Sequence, residues 1–392
     1  MKKKLLFVNN NLHSGGIQRS LLNLLHNIEN EYDITLLLMY PEGEYKEQLP
    51  KNIAVLHSPP LLRVLGMSQK EVLHENKPLF FWRSFFAVLC RWFGNSVPLR
   101  ILAHFQPKLS GYDAAISYMQ SEAPKLLYGG TNEIVLKRVD AKEKITVVHS
   151  DFLNCGSNTP AIRKLYQKFD KVLSCSSGCR ERFIQANPGL KDRTYVVNNF
   201  NEYDKIVQMG SQDPIPYPKD RINLVTVARL SEEKGIERAL LAVQNCLKSG
   251  IPILYHIIGD GMQRIPLQEM CRQLEISEQV FFYGTKNNPY RYIKNADLFF
   301  LTSYHEAAPI VFSESKCLGV PILATQTTSV KEMILDDEAG WVCENNAEDI
   351  CRMLKEVCSN PEALRQKKQL LAGRTYTNAC SQAQWHHALG ED

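Results

Sequence analysis

Short apolar runs, each closing on small or polar residues and each followed by a helical stretch, recur along the whole chain. They fall at residues 5–8, 34–39, 53–56, 112–118, 145–149 and 171–175, and again at 222–227, 255–258, 280–283 and 296–302. Runs this short that do not alternate with polar residues read as strands buried on both faces, the condition of a parallel sheet covered by helices. Alternation of such strands with helices predicts an α/β fold whose ligands bind at the carboxyl ends of the strands. Beyond Trp341 the chain reads as helical, with Pro361 opening a further helix.

At 392 residues the chain exceeds one ordinary core and predicts two domains. Their boundary falls at 212–220, where Pro214, Pro216 and Pro218 make a stiff, extended connector. A net charge of +4 does not suggest nucleic acid as a partner. Eleven cysteines lack a C-x2-C pair, the closest being Cys175 and Cys179, which fits neither a disulfide framework nor a zinc site and suits a reducing cytoplasm. The opening Met1-Lys2-Lys3-Lys4 looks like the start of an export signal, but its apolar run stops at Asn9-Asn10-Asn11 and reads better as a first strand.

One stretch concentrates the chemistry. After the strand at 296–302 come Ser303-Tyr304-His305-Glu306-Ala307-Ala308-Pro309-Ile310, with Glu314 and Gly319 further on. Pro309 fits the first turn of a helix and Gly319 its stop, so Glu306 falls in the turn and Glu314 inside the helix. Two carboxylates so placed lie ~10 Å apart with the positive helix end between them, which suits a ligand with a diphosphate in its middle and hydroxyl-bearing rings at both ends. In the second half, Arg229 and Lys234 follow the strand at 222–227, where two cations can reach one phosphate group from two sides.

The Glu306-x7-Glu314 pair with Gly319-Val320-Pro321-Ile322-Leu323-Ala324 resembles the donor-site signature of retaining GT-B glycosyltransferases of the GT4 type, glycosyl transferases group 1, in the subset that builds capsular and surface polysaccharides. Ala228, Ala307 and Ser315 depart from the residues usual there, which are Gly, Gly and Ala. The resemblance implies a GT-B architecture, two Rossmann-like domains facing each other across a cleft. It assigns 1–211 with a closing helix at 375–392 to an acceptor-binding domain, 212–220 to a linker and 221–374 to a donor-binding domain.

It also implies the reaction, transfer of a sugar (a hexose) from a nucleotide-diphosphate sugar to an acceptor hydroxyl with retained configuration, UDP-sugars first and GDP-sugars next. Arg229 and Lys234 would hold the leaving diphosphate, Glu306 the sugar hydroxyls and Glu314 the ribose. His149, at the carboxyl end of the strand at 145–149, would lie near the reacting sugar. Gly15, Gly16, Gly261, Thr285, Pro309 and Ile310 would complete the donor site. The leaving phosphate would take the acceptor's proton, so no protein nucleophile and no cofactor is implied. The chain holds no Asp-x-Asp, and metal dependence is not expected. A sugar phosphorylase of the same fold, or a degenerate non-catalytic partner in a membrane assembly, would share these residues. A nicotinamide enzyme would need G-x-G-x-x-G after the first strand, which is missing.

Residues 61–110 break the α/β rhythm, with seven Lys or Arg against two Glu and seven aromatics between Phe80 and Phe93. Apolar bulk interleaved with positive charge is how a helix lying in an anionic membrane surface is composed. Phe81, Trp82, Phe85 and Phe86 would face the lipid, placing a cytoplasmic chain peripherally on the inner face of the cell membrane, beside a polyprenyl-diphosphate-linked saccharide acceptor. A pair of core helices with basic outer faces would have the same composition.

Overall fold

The computed structural model describes residues 2–391. The chain forms two compact units: one runs to Phe200 and resumes at Ala379, and the other is Asn201–Asn378.

The first unit opens with β1 (Lys4–Asn9), α1 (Gly16–Ile28), β2 (Asp33–Leu38) and β3 (Ala54–His57). A helical insertion follows, α2 (Gln69–Glu75), α3 (Lys77–Phe93) and α4 (Ser96–Ala103). The unit continues with β4 (Leu109–Ser117), α5 (Thr131–Arg138), β5 (Val139–Val148), α6 (Pro160–Tyr166), β6 (Lys171–Ser174), α7 (Ser177–Ala186) and β7 (Thr194–Val196). The strands lie in the order β3-β2-β1-β4-β5-β6-β7, all parallel. β7 has no counterpart among the expected runs, since three residues leave too little pattern to read. The asparagines that end the first apolar run are buried and act as anchors: Asn10 Nδ2 donates to Leu65 O (3.0 Å) and Asn11 Nδ2 to Gly66 O (2.6 Å), pinning the start of the insertion against β1.

α3 carries two unlike faces. Leu79, Phe86 and Cys90 recur at helical spacing and are buried, whereas Phe81, Phe85, Val88 and Trp92 recur on the opposite side and are exposed. This corrects the expected lipid-facing set. Phe86 is 3% exposed and belongs to the core, and Trp82 packs beside it with ring centroids 4.7 Å apart. Phe81 and Phe85 remain outside.

The second unit contains α8 (Tyr203–Gly210), β8 (Ile222–Val227), α9 (Ile236–Lys248), β9 (Ile253–Ile258), α10 (Arg264–Gln273), β10 (Val280–Gly284) and α11 (Tyr290–Asn295). Next come β11 (Leu298–Leu301), α12 (Ile310–Cys317), β12 (Ile322–Thr325), β13 (Gly340–Cys343), α13 (Ala347–Cys358) and α14 (Pro361–Ala372). Its sheet runs β10-β9-β8-β11-β12-β13, again parallel. Trp341 lies within β13, an edge strand whose residues are mostly half-buried, so the helical reading begins only at Ala347. The proline-rich connector is not free. The Tyr217 ring stacks on His256 (4.1 Å, 28°), which also stacks with Phe281 (5.3 Å, 13°), while Pro218 O accepts from Asn223 Nδ2 (2.9 Å).

α15 (Ala379–Leu389) closes the first unit. Its Trp385 is fully buried, stacked on Phe7 of β1 (6.1 Å, 15°) and met edge-on by Tyr32 (6.4 Å).

Glu133, in the first turn of α5, is buried, and burial pushes its carboxyl up from 4.5 to about 7. A folded-state value above the unfolded one means the native chain keeps a proton that the unfolded chain gives up. The resulting stability, whole below 4.5, is lost as pH rises toward 7. Glu133→Gln should therefore raise unfolding free energy at pH 8 by up to about 3 kcal/mol and leave it unchanged at pH 4.5, as read by urea titration. An equal gain at both values would assign the effect to packing instead.

Candidate active site

β8 and β11 are neighbours whose outgoing connections leave toward opposite sides of the sheet, because β9 and β10 lie beyond β8 and β12 and β13 beyond β11. At such a switch point the loops part and leave a crevice at the carboxyl ends of the strands. The two expected loops border it. Lys234, after β8, places Nζ 2.6 Å from Glu306 Oε1, after β11, and Ser303 Oγ donates to the same oxygen at 2.7 Å. A cation, a carboxylate and a hydroxyl thus meet at one point.

The loops are locked together beneath that contact. Thr302 Oγ1 donates to Gly235 O (2.7 Å), and Gly235 turns left-handed with φ +58, where a Cβ would fall 2.3 Å from Thr302 O. Arg238 of α9 is buried below the turn. Its guanidinium donates to Thr302 O and to Asn345 Oδ1 (2.7 Å) and lies 3.6 Å from the centre of the Tyr304 ring. A planar, permanently charged fork suits three such partners at once.

Arg229 sits in the same β8 exit loop and is exposed. Behind it, Leu230 N donates to Asp260 O (2.9 Å), and a Cβ on Gly261 would fall 2.3 Å from Leu230 O. Gly261 therefore lets the β9 exit loop lie directly on the β8 exit loop. Thr285 is exposed immediately after β10.

Pro309 proves to be the residue before α12 rather than its first member, with φ −67 and ψ 119, and the first turn of α12 carries no acidic residue to neutralise its positive end. Ile310 is the first helical residue. Glu314, one side of the expected pair, is buried and accepts from Tyr290 Oη (3.2 Å) at Oε1. The three departures have local explanations. Ala228 and Ala307 are absent from the left-handed residues, so their methyls cost no backbone strain, and Ser315, fully buried, satisfies its hydroxyl on Val320 O at 2.9 Å.

In the first unit the sheet order reverses between β1 and β4. Gly15 and Gly16 open α1 after β1, Gly15 extended and Gly16 with open space where a side chain would stand. His149 follows β5, its Nε2–H donating to Tyr118 O (2.9 Å) and its ring 4.9 Å from the Tyr118 ring. Tyr118 Oη meets Ser20 Oγ of α1 (2.8 Å), so the histidine and the Gly-Gly helix share one support. Burial pushes the imidazole down from 6.5 to about 4, so it is neutral at pH 7, with Nδ1 left as an acceptor. Ser303, Tyr290 and Arg238 escaped the sequence reading. Ser303 stood within the stretch already singled out, whereas nothing in spacing ties Tyr290 to Glu314 or Arg238 to the Thr302 carbonyl it holds.

Residues 211–369 match the family model of glycosyl transferases group 1. A Campylobacter jejuni relative, N-acetylgalactosamine-N,N'-diacetylbacillosaminyl-diphospho-undecaprenol 4-alpha-N-acetylgalactosaminyltransferase, is 25% identical over 340 residues, 86% of this chain and 85% of that one. A colanic acid biosynthesis glycosyltransferase, WcaL of Escherichia coli K12, is 28% identical over 217 residues, 50% of this chain and 49% of its own, so the chain spans about half the length of that relative. HepE of Anabaena, solved with UDP, superposes with a TM-score of 0.69 at 16% identity, covering 99% of this chain and all of that one. TarM superposes equally well, with a TM-score of 0.69 at 12% identity and 99% of each chain covered. The fold is GT-B.

Proposed function

We propose that this chain, whose residues 211–369 belong to the glycosyl transferases group 1 family, moves a sugar from a nucleotide-diphosphate sugar to an acceptor hydroxyl with retention of configuration. The observation that carries the reading is the meeting of Lys234, Glu306 and Ser303 at the switch point of the second sheet. Breaking the bond between sugar and diphosphate builds negative charge on the leaving group. Arg229, the open end of α12 and, once drawn away from Glu306, Lys234 supply positive charge for it. Glu306 accepts from sugar hydroxyls once Lys234 turns to phosphate, and Glu314, already braced by Tyr290, accepts from the ribose. His149, neutral and fixed on Tyr118, offers Nδ1 to a hydroxyl of the reacting sugar or the acceptor. The leaving phosphate takes the acceptor's proton, so no side chain need act as nucleophile.

UDP is the favoured nucleotide because HepE is solved with UDP and with UDP-glucose. A saccharide on a polyprenyl diphosphate is the favoured acceptor because the Campylobacter relative's name specifies one, and such an acceptor would put the reaction at the inner face of the cell membrane, in surface polysaccharide synthesis. The test is slow donor hydrolysis across UDP-, GDP-, ADP- and dTDP-sugars with EDTA present. Turnover of a UDP-sugar is the expected result. No hydrolysis of any donor, together with no thermal stabilisation by any nucleotide, would leave a non-catalytic chain; activity seen only after adding magnesium or manganese would overturn the metal-independent route.

A further inference from the structure

We infer that Gln120 is a substrate-binding residue, its side-chain amide nitrogen donating to a sugar hydroxyl beside the one that His149 accepts from. Gln120 lies in the exit loop of β4, the strand that flanks the switch point of the first sheet together with β1. Its Oε1 takes the backbone N–H of His149 (3.0 Å) and the hydroxyl of Ser150 (2.9 Å). A backbone N–H can only donate, so the amide is fixed with its oxygen toward the β5 exit loop, and both acceptor positions of that oxygen are filled. The nitrogen is thereby turned away. Neither of its N–H groups finds a partner among the described residues, and the residue is only half-buried.

The surrounding backbone leaves this amide little freedom to turn. Met119 O accepts from Ser117 Oγ (3.2 Å) and Thr131 Oγ1 (3.1 Å), and Ser121 N donates to Tyr166 Oη (3.1 Å), so Gln120 is pinned on either side. The histidine is fastened to the same stretch, because its Nε2–H donates to Tyr118 O, two residues before Gln120. That bond leaves Nδ1 as the free acceptor of the ring. Gln120 Nε2 and His149 Nδ1 are thus a donor and an acceptor carried by two loops that hydrogen bonds tie together. Neighbouring hydroxyls of a sugar ring supply the complement, one giving a proton and the other taking one. A phosphate would bring no proton for Nδ1, and an apolar group would leave both atoms unmet. The inference rests on the proposed reaction, and the ring is that of the donor or of the acceptor.

The experiment compares wild type with Gln120→Glu and Gln120→Met. The carboxylate keeps both bonds to the β5 exit loop and loses only the donors, whereas the thioether loses both. Calorimetric titrations of UDP and of UDP-sugars are set beside rates of UDP-sugar hydrolysis and of transfer to octyl glycosides. If the hydroxyl belongs to the donor, both variants should bind the UDP-sugar about 3–10-fold more weakly, the loss of one hydrogen bond between neutral groups, while UDP binding stays within about twofold. If it belongs to the acceptor, a loss of the same size should appear in KM for the glycoside rather than in kcat or in UDP-sugar binding. Wild-type behaviour of Gln120→Glu, with losses confined to Gln120→Met, would overturn the inference and leave Gln120 a tie between loops. Unchanged behaviour of both variants would overturn it too, and where wild type uses no octyl glycoside, binding and hydrolysis alone decide. A wild type that turns over no donor but binds a UDP-sugar, and binds it more weakly as Gln120→Glu, would defeat the proposed reaction and keep this inference. One that binds no nucleotide sugar would defeat both.

Discussion

Lys234→Ala should lower donor hydrolysis by about 10²–10³-fold, the loss typical when one fixed donor to developing negative charge is removed. The substitution also strands Glu306, whose Oε1 takes Lys234 Nζ at 2.6 Å and Ser303 Oγ at 2.7 Å. In the free protein the cation and the carboxylate are paired, so in the proposed reaction a bound donor has to separate them, drawing Lys234 to phosphate and Glu306 to sugar hydroxyls. Glu306→Gln gives the diagnostic contrast. It removes the sugar's charged acceptor but releases Lys234 from its partner, so hydrolysis should fall by a similar factor while binding of the free nucleoside diphosphate holds or tightens. Lys234→Ala should weaken that same binding. Because the residues touch, the double substitution should cost less than the sum of the two. Calorimetric titration of UDP beside initial rates separates these outcomes; equal weakening of UDP binding in both single variants would remove the proposed division of labour.

Trp385→Ala should cost about 3–5 kcal/mol of stability, the range for deleting a fully buried aromatic side chain. The indole is sealed between Phe7 and Tyr32, so its removal leaves a cavity against β1, an interior strand of the first sheet. Total stabilities are only about 5–15 kcal/mol, so the loss would bring the first unit close to unfolding at ordinary temperature. Trp92→Ala, on the exposed face of α3, is the control, expected within about 0.5 kcal/mol of wild type. Urea titrations of the two variants decide the matter, and a loss below about 1 kcal/mol at Trp385 would show that α15 rests on the unit without completing its core.

The parallel sheets were legible because buried strands leave uninterrupted apolar runs, and the Lys234 and Glu306 loops because each follows such a run directly. What escaped depended on the third dimension. β7 is too short to show a pattern, and β13, at the rim of the second sheet, goes unread because its residues are mostly half-buried. Seven aromatics in fourteen residues could not be sorted into inner and outer by composition; the helical spacing of Leu79, Phe86 and Cys90 against Phe81, Phe85 and Trp92 does that once the helix is known to pack. Tyr290 lies 24 residues before the Glu314 it supports, and Arg238 grips a carbonyl 64 residues on, at Thr302. Such partners are set by how strands are ordered in a sheet, which no local window contains.

The return of the chain's last helix to the first unit has a consequence for synthesis. A ribosome releases the strands of the first sheet early, but the indole that fills the space over Phe7 emerges only after the whole of the second unit. The second unit, continuous from Asn201 to Asn378, can close its core before then. Until α15 arrives the first unit is incomplete, and a product ending before Ala379 lacks the indole and leaves the apolar surface over Phe7 open.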